Sequence, residues 1–161
     1  MVMRYASIIE NDMVNGEGVC VSFWTQGCPH RCPGCHNPET WDFEGGTEIH
    51  HDDLFKKIDE AMTANNIPRN FSVLGGEPLC KENFNTTAIV VGYVHMKYPD
   101  RKIFLWTGYE IEHLPNNRFY NSLLSKIDVL ITGPYKEECR DISQKWIGST
   151  NQEILYKGID F

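Results

Sequence analysis

Val19-Cys-Val-Ser-Phe-Trp24 runs without a break into Thr25-Gln26-Gly27-Cys28-Pro29-His30-Arg31-Cys32-Pro33-Gly34-Cys35-His36. The first six residues are short, β-branched and aromatic, which is the composition of a strand, and Gln26-Gly27 stops them. Pro29, Pro33 and Gly34 then argue against a regular helix, so three thiols share one turn-rich loop at the end of a strand.

Outward from that junction the chain alternates strand with helix. Asp52 or Asp53 is positioned to cap a helix with Leu54, Phe55, Ile58, Ala61 and Met62 on one face, fraying at Asn65-Asn66 and closed by Pro68. Phe71 to Leu74 reads as a strand ending at Gly75-Gly76, and residues 82–98 carry Phe84, Ala88, Val91 and His95 at helical spacing. Lys102 to Trp106 is a strand ending at Thr107-Gly108. Phe119, Tyr120, Leu123, Leu124 and Ile127 sketch a helix, and Asp128 to Ile131 is a strand ending at Gly133-Pro134.

This order predicts an α/β fold with a mostly parallel sheet, either open or curled into part of a barrel. With every strand pointing one way, the turns at Gly27-Cys28, Gly75-Gly76, Thr107-Gly108 and Gly133-Pro134 all emerge at the carboxyl edge of the sheet, where such folds place their chemistry. Arg4 to Glu10 can add an edge strand, and the tail from Lys136 to Phe161 shows one candidate strand at Ile154–Tyr156. No repeat or linker divides residues 1–161, so one domain is expected.

Composition narrows the function. Fifteen Lys and Arg against 22 Asp and Glu give a net charge of −7, which disfavours nucleic acid as a partner. A 41% hydrophobic content is that of a globular chain. The longest apolar stretch, Ala88 to Val94, falls far short of the roughly 18 residues of a membrane span, and Met1-Val-Met-Arg-Tyr5 leads into no signal-peptide core. No membrane is expected as a partner, and the location expected is the cytoplasm.

Six cysteines in a chain of this length and expected location argue for reduced thiols or a metal site rather than a disulfide scaffold. Cys28, Cys32 and Cys35 are crowded, whereas Cys20, Cys80 and Cys139 are scattered. A 4Fe–4S cluster normally takes four thiolates, so three local ligands would leave one iron open for a substrate. Zinc held by the three thiolates and His30 or His36 is an alternative, and would make the chain a binding module. Cys32-Pro-Gly-Cys35 also has dithiol-oxidoreductase spacing, but Asn37 to Gly46 does not read as a helix, and Cys28 would be idle.

The three-then-two spacing of the cysteines, straight after a strand, resembles the cluster loop of the radical S-adenosylmethionine (SAM) superfamily, and Gly75-Gly76-Glu77-Pro78 is similar to its second signature. More narrowly, Gly16-Glu-Gly18, Gln26 through Trp41, Trp106 through Glu110, Asp128 through Tyr135 and Gly148 through Gln152 resemble the family of activators of anaerobic ribonucleoside-triphosphate reductase. These stretches are spread over residues 16–152, nearly the whole length of the chain.

The resemblance implies a single radical SAM domain over residues 1–161, a shortened partial (βα) barrel with a cluster loop at 28–36 and a SAM-binding turn at 75–78. It implies that Cys28, Cys32 and Cys35 hold three irons of one 4Fe–4S cluster and that the amino and carboxylate groups of SAM chelate the fourth. Reductive cleavage of SAM would give a 5′-deoxyadenosyl radical that takes hydrogen from a glycine Cα of the partner reductase. The electron would come from a low-potential donor such as flavodoxin. Gly75, Gly76 and Glu77 would hold the methionine moiety, with a strand-end carbonyl or the Glu77 carboxylate accepting from its ammonium group. The backbone of Gly34, Cys35 and His36 would meet the adenine, and Thr107 and the Gly133 turn would line the ribose side. Superfamily members usually carry an aromatic residue where this chain has Gly34. No catalytic residue beyond the cluster ligands is implied. Trp41 and Trp146 are read as packing or as partner anchors, and Cys20 as a core residue. An activase of another glycyl-radical enzyme, such as pyruvate formate-lyase, is the nearest enzyme alternative, though those are generally longer.

Overall fold

The computed structural model describes residues 1–161. In chain order the elements are β1 (Val2–Tyr5), β2 (Ser7–Asp12), β3 (Cys20–Thr25), β4 (Thr47–His50), α1 (His51–Thr63), β5 (Asn70–Gly75), α2 (Phe84–Lys97), β6 (Ile103–Trp106), α3 (Arg118–Leu124), β7 (Val129–Thr132) and β8 (Glu153–Tyr156). Six strands form one sheet in the order β2-β3-β5-β6-β7-β8, while β1 and β4 pair apart from it.

The four central strands are parallel, as the alternation of elements predicts. Both edges are antiparallel, against the expectation that every strand points one way. The reason lies in the connections. A parallel crossover takes a dozen or more residues, usually with a helix; the link at 13–19 is too short for one, and the stretch from Gly133 to Gln152 contains no α-helix. The edge strand expected over Arg4 to Glu10 breaks at Ala6 and continues to Asp12 as β2.

Successive side chains of a strand face opposite ways, and here the two faces of the sheet have different neighbours. Val21, Phe23, Phe71, Val73, Ile103, Leu105 and Leu130 form the main core with Leu54 and Ile58 of α1, Val90, Val91 and Val94 of α2, and Leu123 of α3. All three helices therefore cover one face. The other face presents Trp24, Leu74, Phe104, Trp106 and Ile131. It is covered only in part, by Ile147, Trp146 and Ile154 packing on Phe104, Val129 and Ile131. What the loops leave uncovered on this helix-free face is a cavity.

The helices differ in detail from the sequence expectation. α1 is capped by His50, whose side chain accepts from the Asp52 amide, rather than by an aspartate. α2 buries Thr87, Val90, Val91 and Val94, a stripe turned away from Ala88 and His95, because its middle is apolar on most sides. Asn117 caps α3 through the amides of Phe119 and Tyr120. No helix is long and apolar enough to cross a membrane.

Candidate cluster and cofactor cavity

The cysteine loop is closed at its base. Gly27 donates its amide to the Thr40 carbonyl (2.7 Å) and Cys28 to the Trp41 carbonyl (3.2 Å). The buried Gln26 amide nitrogen donates to the Glu39 and Asp42 carbonyls. The loop thus leaves the end of β3 and is brought back to it by a short turn of 3-10 helix at Pro38–Thr40. All three cysteines in it are free thiols, Cys28 buried and Cys32 and Cys35 half-buried. Burial pushes the Cys28 and Cys32 thiols above their usual range, opposed at Cys28 by the amides of His30 and Arg31. Amides around a sulfur favour its thiolate form, which is the form that ligates metal.

The turn after β5 is sewn to the same loop. The amides of Gly76 and Glu77 donate to the carbonyls of Thr25 and Gly27, and the buried Asn83 side chain donates to the carbonyls of Gly27 and Glu77, both at 2.9 Å. A Cβ on Gly76 would run into the carbonyls of Gly27 and Thr40. The glycine is needed first for this close approach of backbones.

Glu77 is wholly buried, and its carboxylate accepts from four donors. The Leu79 amide (2.8 Å) and the Thr107 hydroxyl (2.7 Å) reach Oε2, and the Gly108 amide (2.6 Å) and His30 Nε2 (2.8 Å) reach Oε1. One carboxylate therefore locks together the end of β5, the end of β6 and the cysteine loop. Of the two acceptors foreseen for a ligand ammonium, the strand-end carbonyl is the freer, because the Glu77 oxygens already have partners.

These elements surround a cavity of about 760 Å³ on the helix-free face of the sheet. Cys28, Cys32, Cys35, His36, Gly75, Gly76, Glu77 and Thr107 all line it, together with Gly108 and Gly133. Gly34 is not among the lining residues; it faces Tyr135 and Glu137, and its positive φ suits a glycine. Trp24, Leu74 and Trp106 line the cavity from the sheet face. Trp41 and Trp146 line it as well, which the sequence left open. Two loops without any motif complete the wall: Met13 to Asn15 and Ile142 to Ile147. Their only sequence signal was the match at Gly16 and Gly148 to the activator pattern.

Three thiols, a ring of glycine turns and an aromatic wall suit a cluster with a nucleoside-sized ligand better than the alternatives. A tetrahedral zinc with bonds of about 2.3 Å brings sulfur ligands to roughly 3.8 Å from one another. The one group of three His, Cys, Asp or Glu donors with all ligand atoms within 4.8 Å is His50, His51 and Asp52, not the cysteines. His30, one of the two candidate zinc ligands, has its Nε2 on Glu77. No helix begins at Cys32 or Cys35, so the device that activates a C-x-x-C thiol is absent. Cys20, Cys80 and Cys139 do not line the cavity. Cys20 is fully buried, as expected of a core residue.

Residues 14–155 match the family described as a 4Fe-4S single cluster domain, which sets the class: an iron–sulfur protein with one cluster. An anaerobic ribonucleoside-triphosphate reductase-activating protein of Haemophilus influenzae is 35% identical over 158 residues, spanning 94% of this chain and 97% of its own. Namesakes from Vibrio cholerae, at 34% over 94% and 97% of the two chains, and Pasteurella multocida, at 33% over 96% and 98%, are similar. The chain belongs to the family of anaerobic ribonucleoside-triphosphate reductase-activating proteins.

Proposed function

We propose that this chain is an iron–sulfur, SAM-cleaving activase that installs the glycyl radical on an anaerobic ribonucleoside-triphosphate reductase. The observation that carries the proposal is the meeting of Cys28, Cys32 and Cys35 with the Gly75-Gly76 and Thr107-Gly108 turns around one cavity. Cys28, Cys32 and Cys35 would hold three irons, and no fourth cysteine lines the cavity to close the last position. When bound, the reduced cluster would supply the electron for reductive cleavage of the SAM sulfonium to methionine and a 5′-deoxyadenosyl radical, and that radical would take a hydrogen atom from glycine.

The chain's own residues provide position and dryness. The strand-end carbonyls at Gly75-Gly76 would accept from the ligand's ammonium group. The peptide groups around Cys35 and His36 would meet its adenine. Thr107 and the Gly133 turn would border its ribose, and Trp24, Leu74 and Trp106 exclude water from below. Gly34 acts through the bend it permits rather than by contact. Glu77 acts through the four groups it holds. Helices on one face of the parallel strands and the candidate site at the loops after their carboxyl ends are what a (βα) barrel shows, and we read the sheet as a shortened partial barrel over one domain, residues 1–161. A low-potential donor such as flavodoxin, and the cytoplasm, belong to the same proposal.

The test is anaerobic reconstitution followed by assay with reductant, SAM and the reductase. Iron and sulfide of one cluster per chain, 5′-deoxyadenosine and a glycine-centred radical on the reductase are expected. One zinc per chain with neither iron nor sulfide would refute the proposal.

A further inference from the structure

All four tryptophans of this chain, Trp24, Trp41, Trp106 and Trp146, border the same cavity. An indole carries one donor, its Nε1–H, and no acceptor, so each of the four can be accounted for in full. Trp24 donates to the Ser22 hydroxyl (3.0 Å), Trp106 to the Trp146 carbonyl (2.7 Å) and Trp146 to the Gly16 carbonyl (3.3 Å). Trp41 donates to no atom of the protein, although its Nε1 is shut off from solvent. The other buried side-chain polar atom without a partner, Asn151 Oδ1, belongs to a residue that does not line the cavity.

A buried donor left unpaired costs about 1–3 kcal/mol, and native proteins carry few of them. Trp41 is also held in place. Its carbonyl accepts from the Cys28 amide (3.2 Å), and its own amide donates to the Pro38 carbonyl (3.2 Å) at the end of the 3-10 turn. The Arg31 guanidinium lies over its ring, 5.7 Å from the centroid. The residue is therefore bonded through its backbone to the first cysteine of the loop, and its ring meets the side chain that directly precedes the second.

Those neighbours decide which acceptor suits the indole. The ammonium, adenine and ribose of the proposed ligand are assigned to Gly75, His36 and Thr107, on other parts of the wall. Cys28 and Cys32 are the residues adjoining Trp41. The sulfurs of an iron–sulfur cluster, sulfide and thiolate alike, are electron-rich acceptors, and hydrogen bonds to them are among the determinants of its reduction potential.

We propose that the Trp41 indole Nε1–H donates a hydrogen bond to a sulfur of the cluster held by Cys28, Cys32 and Cys35, and so helps to set its reduction potential. This rests on the cluster of the reading above and not on SAM cleavage. A donor to sulfur stabilises the more negative, reduced cluster more than the oxidised one. It raises the potential and eases the entry of the electron.

The test is a redox titration of the anaerobically reconstituted full-length protein, without SAM, followed by electron paramagnetic resonance. Trp41→Phe keeps an aromatic ring under Arg31 and deletes the N–H. It is expected to take up iron and sulfide as the wild type does and to show a more negative midpoint potential. Trp24→Phe loses a donor that serves Ser22, and is expected to titrate with the wild type. An unchanged potential in Trp41→Phe overturns the proposal. So does an equal shift in both variants, which assigns the effect to the aromatic wall, or a shift that appears only with SAM, which puts the acceptor on the ligand. Electron–nuclear double resonance of the wild type carrying ¹⁵N-indole tryptophan reads the bond without any substitution: a nitrogen coupled to the cluster spin is expected, and its absence overturns the proposal. A wild type that takes up zinc and no iron refutes the activase reading and this proposal together. A cluster whose potential depends on Trp41, in a protein that cleaves no SAM, refutes that reading alone.

Discussion

The His30 imidazole and the Glu77 carboxylate meet at 2.8 Å across 47 residues of sequence. His30 also lies edge-on to Tyr109, with ring centroids 4.6 Å apart. The pair fastens the cysteine loop to the turn after β5, the two motifs that the proposed function brings to one ligand. Losing one donor from a buried carboxylate costs about 1–3 kcal/mol, so His30→Leu is expected to lower the thermal midpoint and weaken SAM binding while iron uptake persists. His30→Gln, which can still donate, is expected to recover part of both. Equilibrium dialysis with SAM and iron analysis of the two variants decide the matter; loss of iron in both would make His30 a ligand instead of a fastener.

The thiols divide into two groups. Cys32→Ala is expected to abolish cluster assembly and 5′-deoxyadenosine release, and Cys139→Ala to leave both nearly intact; equal loss in iron analysis would show that the wrong thiols were chosen. Burial pushes the Cys80 thiol up to about 12. At pH 8 its thiolate fraction is then about 10⁻⁴. Alkylation of the metal-free protein followed by peptide mass spectrometry is expected to label Cys139 and leave Cys80 unmodified until the chain is unfolded.

Two glycines make opposite predictions. Gly76→Ala directs a Cβ at two backbone carbonyls that cannot move aside, so it is expected to destabilise the fold by several kcal/mol or to prevent it. Gly92 lies inside α2 with open space beyond it. Gly92→Ala is expected to stabilise by about 0.5–1 kcal/mol through helix propensity. Denaturant unfolding of both reads the signs.

Asp59 binds α1 to the end of α2. Tyr93 (2.5 Å), Tyr98 (2.6 Å) and Lys97 (2.7 Å) all donate to it. Burial works against its charge, but hydrogen bonds from Lys97, Tyr93 and Tyr98 outweigh burial and hold its carboxyl below the ordinary value of 3.8. A depressed folded-state pKa contributes stability above the unfolded value and loses it as pH falls through the folded one. The stability gap between wild type and Asp59→Asn is therefore expected to be constant near neutrality and to shrink below about pH 4. A gap that widened in acid would contradict this.

Most of the sheet was legible because its signals are local. Val19 to Trp24, Phe71 to Leu74, Lys102 to Trp106 and Asp128 to Ile131 each match an observed strand within a residue or two. The glycine turns after them do line one cavity. What local pattern could not carry was pairing and coverage. β4 was not among the expected strands because its partner, β1, lies some forty residues earlier in the chain. The cavity's outer wall depends on contacts such as the Trp146 indole on the Gly16 carbonyl, 130 residues apart. The hydrogen bonds of Glu77 were not legible for the same reason. Its motif is local, but three of its four donors lie on other turns.

The decisive measurement is electron paramagnetic resonance of the reconstituted, reduced protein before and after SAM is added. On the proposed function Cys28, Cys32 and Cys35 would leave one iron of a 4Fe–4S cluster without a protein ligand, so the cluster signal is expected to change when SAM binds and to be lost in Cys32→Ala. A cluster signal indifferent to SAM would mean that a fourth side chain already fills that position, and it would contradict the account.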